Sequence, residues 1–167
     1  MRKSIAALAL VRTRIDGIMR CLAQWNENWQ RFHFVGGHKR SDESFRECVI
    51  REVWEELGLV EGRDCAVGEW PLVHWESTAW SHNAREETSY TMELFEVRLL
   101  NDDAQRRIGL HPRNCWLTEG EILAKQTGDG LAVGETMATL LAQTQQETMP
   151  TPPTAIPETF SHRKDLL

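Results

Sequence analysis

Glu52, Glu55 and Glu56 crowd into a short stretch of the chain. Carboxylates gathered in this way are useful chiefly for holding a hard cation or moving protons. On a helical wheel of about 100° per residue, with Glu52 at zero, Glu55 falls near −60° and Glu56 near +40°, so the three share one narrow face. Val49, Ile50, Val53, Trp54 and Leu57 fall at roughly +60° to +200° on the same wheel. The spacing therefore predicts a packing side that includes Trp54 and a separate side where the acids converge. Like charges at helical spacing repel by a few tenths of a kcal/mol per pair, and more beside a core, unless something positive lies among them. Mg²⁺ or Mn²⁺, which favour oxygen ligands, would serve. Arg51 alone cannot neutralise three acids. It could pair with Glu43 and so hold the preceding loop in register with the helix. The competing reading is a solvated acidic helix face with Arg51 incidental, and it leaves the Gly36-Gly37 turn, the spacing of Glu43 and the terminal Gly58 as coincidences.

These residues need a helix with defined ends and a scaffold to hold it. Ser41-Asp42-Glu43-Ser44 reads as the helix start, capped by Ser or Asp. The helix is expected to run to Leu57, with Gly58 as the left-handed residue that ends it. Upstream, Ile5–Val11, Gly17–Trp25 and Phe32–Val35 read as strands. Gly36-Gly37 ends the third, where the backbone turns sharply or approaches something closely. Downstream, Ala66–Val73 and His74–Ala79 are candidate strands, Ser81–Glu87 a polar loop, and Ser89–Leu100 the strongest alternating strand. Cys115–Leu117 is a short strand, Thr118–Glu121 opens a short helix, and Gly134–Gln146 is a second full helix with Met137, Leu140 and Leu141 inward. Residues 1–147 form the expected domain. Residues 148–167, rich in Pro and Thr, read as an extended C-terminal tail.

The segment from Gly37 to Leu59 resembles the signature of the Nudix hydrolase family, G-x5-E-x7-R-E-U-x-E-E-x-G-U, at every defined position: Gly37, Glu43, Arg51, Glu52, Val53, Glu55, Glu56, Gly58 and Leu59. The resemblance implies an α/β fold, a Nudix-type α/β/α sandwich with a mixed β-sheet. It implies a metal-dependent hydrolase that cleaves a pyrophosphate bond in a nucleoside diphosphate linked to another moiety. Glu52, Glu55 and Glu56 would hold Mg²⁺ (or Mn²⁺), often completed by the Gly37 carbonyl, with Glu43 and Arg51 in support. The general base is expected at Glu52 or Glu56, with Glu87, Glu93 and Glu121 as candidates outside the signature. The alternative is a catalytically silent Nudix-like sensor that binds a nucleotide. Such proteins commonly lose a metal-binding Glu, and none is lost here. Pro71 lies near, but not at, the position expected for an ADP-ribose enzyme, which leaves the leaving group open. A homodimer is also left open.

For the substrate, seven tryptophans are many for 167 residues, and a ring beside a loop can stack a nucleobase. Trp25, Trp29, Trp75 and Trp80 flank predicted loops, with Trp75 and Trp80, beside the 81–87 loop, the leading candidates, and Lys39, Arg40 and Arg85 could meet phosphate oxygens. His33 and His38 adjoin the glycine turn and read as hydrogen-bonded rather than ligating. The net charge of −6 argues against duplex nucleic acid as a partner. No apolar run is long enough to span a membrane. The residues after Met-Arg-Lys are apolar over about the length of a signal core, but Arg12 follows directly and no cleavage region appears, so a buried first strand is expected. Four scattered cysteines fit reduced thiols and a cytoplasmic setting.

Overall fold

The apolar run near the start of the chain is continuous because it is buried on both faces. In the computed structural model, which describes residues 1–147, it lies within strand β1 (Arg2–Ile15). Ala7, Ala9 and Val11 enter one core while Leu10 enters another, as the two-residue period of a strand dictates. Asp16 and Gly17, both at positive φ (52° and 78°), turn the chain into β2 (Ile18–Asn26), antiparallel to β1. Then follow β3 (Arg31–His33), β4 (Val35–His38) and helix α1 (Phe45–Leu57). Next come β5 (Cys65–Val67), β6 (Val73–Ser81) and β7 (Glu86–Leu99). The described chain closes with α2 (Asp102–Gly109), β8 (Asn114–Thr118), α3 (Glu119–Leu123) and α4 (Glu135–Glu147).

All eight strands join one mixed sheet, in which β7 runs parallel to β1 and the other pairings are antiparallel. Strand β1 changes partner along its length: Ala6–Ala9 pair with β4, whereas Arg12–Ile15 pair with β2. Cys48, Val49 and Val53 of α1, with Ala104 and Ile108 of α2, cover one face of the sheet. Ile122 of α3 and Met137, Leu140 and Leu141 of α4 cover the other. This is the α/β/α sandwich. Among the described residues no helix is long and apolar enough to cross a membrane.

The ends of α1 carry their own chemistry. Ser44 is the cap, its hydroxyl accepting from Glu47 N–H while the Glu47 carboxylate accepts from Ser44 N–H, and Gly58 ends the helix at φ 66°. Three expectations need correction. Trp54 does not pack: it is 59% exposed, while Glu52 is buried at 8%. The buried positions of α1 are Cys48, Val49, Glu52 and Val53, so the arc that faces the sheet overlaps the acidic face instead of avoiding it. Gly36-Gly37 does not end a strand but lies inside β4, and the close approach is real. A Cβ on Gly36, at φ 148°, would strike the β1 backbone at Ala7 and Leu8. The polar loop at 81–87 is a tight turn: Ser81 pairs with Glu86, and polar side chains extend a largely solvent-facing β6–β7 ribbon. Helix α2 went unread, although Asn101 caps it and Arg106 and Arg107 close it. The proposed tail, 148–167, lies outside the described residues.

Candidate functional site

Arg51 is the organising side chain, because its planar fork can serve several acceptors at once. From α1 it donates to both oxygens of Glu43, Nε to Oε2 at 3.0 Å and Nη2 to Oε1 at 2.7 Å. Its Nη1 donates to Glu52 Oε1 at 2.7 Å and to Glu55 Oε2 at 3.2 Å, and Nη2 also reaches the His38 carbonyl at 3.2 Å. Glu43 accepts in addition from Arg40 N–H at 2.9 Å. The Arg51 guanidinium holds the Glu43 carboxyl down at about 2, with the Arg40 N–H helping against the opposing effect of burial. Glu43 in turn pushes Arg51 further up, so that it stays charged. Glu43 and Arg51 are thus paired as expected, joining the loop after β4 to the middle of α1.

Two more arginines serve the acids that Arg51 cannot fully satisfy. Arg40 Nη2 lies 3.5 Å from Glu55 Oε1, and Arg113 Nη2 lies 3.6 Å from Glu56 Oε2. Four carboxylates therefore share three guanidiniums, from the 39–44 loop, α1 and the loop before β8. The positive charge among the acids is supplied by Arg40 and Arg113 as well as by Arg51. Pairs as exposed as Arg40–Glu55 and Arg113–Glu56 contribute only about 0–1 kcal/mol each. The Arg51–Glu43 pair, with side chains 15% and 12% exposed, is the firm one.

The donor set suits a divalent cation in kind. It consists of hard oxygens, and a Cβ at Gly37 would meet the Glu52 carboxylate and push it aside, so glycine lets that group lie against the β4 backbone where it now stands. As the acids stand, no three Asp, Glu, His or Cys side chains among the described residues are placed to share one ion. Each carboxylate points at an arginine instead. Ion binding at this site would have to exchange those partners.

Beside the acids lies a cavity of about 530 Å³, bounded by the parallel β1–β7 pair, by β2 and the loop after it, and by α4. Gly37 and Glu56 line it, and among the described residues that do so Glu56 is the only acid. Trp29, His33, Tyr90 and Arg113 also line it. Trp29 is 52% exposed and stands edge-on to His33 at 5.7 Å. His33 donates from Nδ1 to the Phe34 carbonyl at 2.5 Å, and burial lowers its basicity. His38 Nε2 lies 3.1 Å from Ser4 Oγ. Both histidines are hydrogen-bonded, as read from the sequence.

The four side chains assigned to substrate lie elsewhere, none of them on the cavity wall. Trp75 packs against the α4-side core. Trp80 is 60% exposed on β6. Lys39 lies over the Phe45 ring at 5.9 Å and donates to the Arg40 carbonyl at 3.0 Å. Arg85 occupies the β6–β7 turn at φ 55°. Of the outside candidates for general base, Glu121 completes the capping box of α3 and accepts from Gly128 N–H at 2.8 Å. Glu93 lies 3.0 Å from His74 Nδ1, and Glu87 is exposed on β7 opposite Trp80. Arg113 was missed because nothing near it in the chain marks it. Trp29 carried a signal, an aromatic ring beside a polar turn.

The family model described as the NUDIX domain matches residues 3–133. No curated protein matches the chain. Among solved structures, the fold is similar to the Ap4A hydrolase of C. elegans, with 18% identity and a TM-score of 0.62 over 88% of this chain and 98% of that one. It is similar to the MutT protein of Methanosarcina mazei Go1, with 20% identity and a TM-score of 0.57 over 87% and 95%. It is also similar to Shewanella oneidensis NrtR, determined with a 27mer DNA, with 17% identity and a TM-score of 0.58 over 86% of this chain but 61% of that one. A protein of this fold can therefore be found on DNA, and the acidic balance does not by itself exclude duplex nucleic acid.

Proposed function

The chain belongs to the Nudix domain family, which at family level makes it a pyrophosphohydrolase acting on phosphoanhydride bonds, and from that premise we propose that it cleaves the diphosphate of a soluble nucleotide derivative with Mg²⁺ or Mn²⁺. Nudix hydrolases generally use divalent metals. In this chain Glu52, Glu55, Glu56 and the Gly37 carbonyl would hold the ion, which would supply charge neutralisation and an acidified water. The observation that carries the reading is the position of Glu56: it belongs to the acidic face of α1 and is also, among the described residues, the one carboxylate lining the cavity.

The chain's own groups divide the work. Glu43 and Arg51 tie the loop to the helix that carries Glu52 and Glu55. Gly37 lets Glu52 approach the β4 backbone. A diphosphate repels an incoming hydroxide, so the attacking water needs a proton acceptor, and that role would fall to Glu56, which lines the cavity, or to Glu52. Trp29 and Tyr90 line the cavity, where a ring stacked on a base would contribute roughly 1–3 kcal/mol. The complete set of carboxylates speaks against the silent-sensor alternative.

The test incubates nucleotide sugars, dinucleoside polyphosphates and nucleoside triphosphates with Mg²⁺ and separates the products, since cleaving the pyrophosphate bond leaves a nucleotide and a second phosphorylated fragment or pyrophosphate. We expect turnover of at least one class. In Glu56→Gln that turnover is expected to fall by about a hundredfold or more, the loss typical of a missing base or ligand. A variant that turns over normally would refute the assignment.

A further inference from the structure

Two demands meet on the guanidinium of Arg113. Its Nη2 is 3.6 Å from Glu56 Oε2, and the residue also forms part of the cavity wall. The separation is beyond a good hydrogen bond, and the side chains are 49% and 37% exposed, so the pair is a weak one. The backbone of the loop is held independently: Trp25 N–H donates to the Arg113 carbonyl at 2.8 Å, and Arg113 N–H donates to His111 Nδ1 at 3.3 Å. The side chain can therefore change partner without moving the loop.

Among the described residues no other cation on the wall is so placed. Arg51 is committed through its fork to Glu43 and is not on the wall, nor is Arg40. Arg2 lines the far end: it pairs with Thr88, whereas Gly37 pairs with Ala7 on the same strand, and five residues of strand span about 16 Å. His33 and His38 already serve Phe34 and Ser4.

We propose that Arg113 is a diphosphate-binding residue released by cation binding. In the metal-free protein it faces Glu56. When Glu56 turns with Glu52 and Glu55 to a divalent ion, Arg113 loses its carboxylate and is left on the cavity wall. A planar fork suited to paired phosphate oxygens then stands beside the scissile bond. Cation and diphosphate thus depend on Arg113 in opposite senses, since the cation competes with it for Glu56 and the diphosphate requires it. The inference rests on the metal-dependent reading above.

The test titrates Mn²⁺ alone into wild type and Arg113→Ala by calorimetry, then methylenediphosphonate, a non-hydrolysable diphosphate, with Mg²⁺ saturating. In the variant, Mn²⁺ is expected to bind about two- to fivefold more tightly, the worth of losing an exposed competing pair. Methylenediphosphonate is expected to bind about tenfold more weakly or worse, the worth of a charge-assisted contact. Combining Arg113→Ala with Glu56→Gln should abolish the gain in Mn²⁺ affinity. Affinities that fall together, as a merely structural arginine would give, or that do not move, overturn the proposal. Failure of wild type to bind Mn²⁺ would instead overturn the metal-dependent function itself, so the two failures are distinguishable.

Discussion

Replacing Arg51 by Gln tests whether one guanidinium holds the acidic cluster together. The substitution leaves Glu43 and Glu52, with side chains 12% and 11% exposed, facing no firm positive partner. Stranding a buried carboxylate in this way destabilises by about 3 kcal/mol. A second route gives the same size. The Glu43 carboxyl is held at about 2 against an ordinary 4.5, and that gap corresponds to about 3 kcal/mol at neutral pH. Its sign is fixed by linkage. A carboxyl with a depressed folded value stabilises the fold above its unfolded value and loses that contribution as pH falls through the folded one. The gap between wild type and Arg51→Gln should therefore be widest at pH 7, about 1 kcal/mol smaller by pH 4 and about 2 kcal/mol smaller by pH 3. Urea unfolding at pH 7, 4 and 3 measures it, and at pH 7 the melting temperature should drop by about 6–12 °C. A gap below about 1 kcal/mol, or one that does not narrow in acid, would show that the cluster does not depend on Arg51 as argued.

Gly37→Ala should push the Glu52 carboxylate aside, abolishing most turnover while leaving the fold close to wild-type stability; wild-type kinetics would contradict that close approach. Trp29→Ala should raise the Michaelis constant for the true nucleotide about tenfold through lost stacking, while Trp80→Ala, out on β6, should leave it unchanged; the reverse pattern would return Trp80 to the substrate site. Asp64 accepts from Arg63, Val60 N–H and Arg107, and the Arg63 contact above all holds its carboxyl at about 2 against an ordinary 3.8. Wild type should therefore keep this contribution above about pH 4 and lose it toward pH 2, whereas Asp64→Asn should lack that acid-dependent step in a pH series of melting temperatures.

How much of this was legible in the chain depends on the range over which each feature acts. The angular grouping of Glu52, Glu55 and Glu56, the Glu43–Arg51 pair, the Gly58 cap and the inward stripe of α4 all follow from helical period and local capping, and the fold bears them out. What misled was the assumption that apolar residues alone define the inner arc of α1. The wheel sets angles around the helix axis but not the rotation of that helix on the sheet. In the folded protein Glu52 lies inward, against β4 at Gly37, and Trp54 stays out.

The family, the sandwich and the carboxylates that characterise it were therefore determined by the sequence alone, because each rests on residues near one another in the chain. Only the tertiary structure decided that Arg40 and Arg113 attend Glu55 and Glu56, and that Trp29 and Arg113, rather than Trp80 and Arg85, border the cavity. Those neighbours come from separate elements of the sheet, and no local periodicity records which of them meet once β1 has paired with β7 on one side and with β2 and β4 on the other.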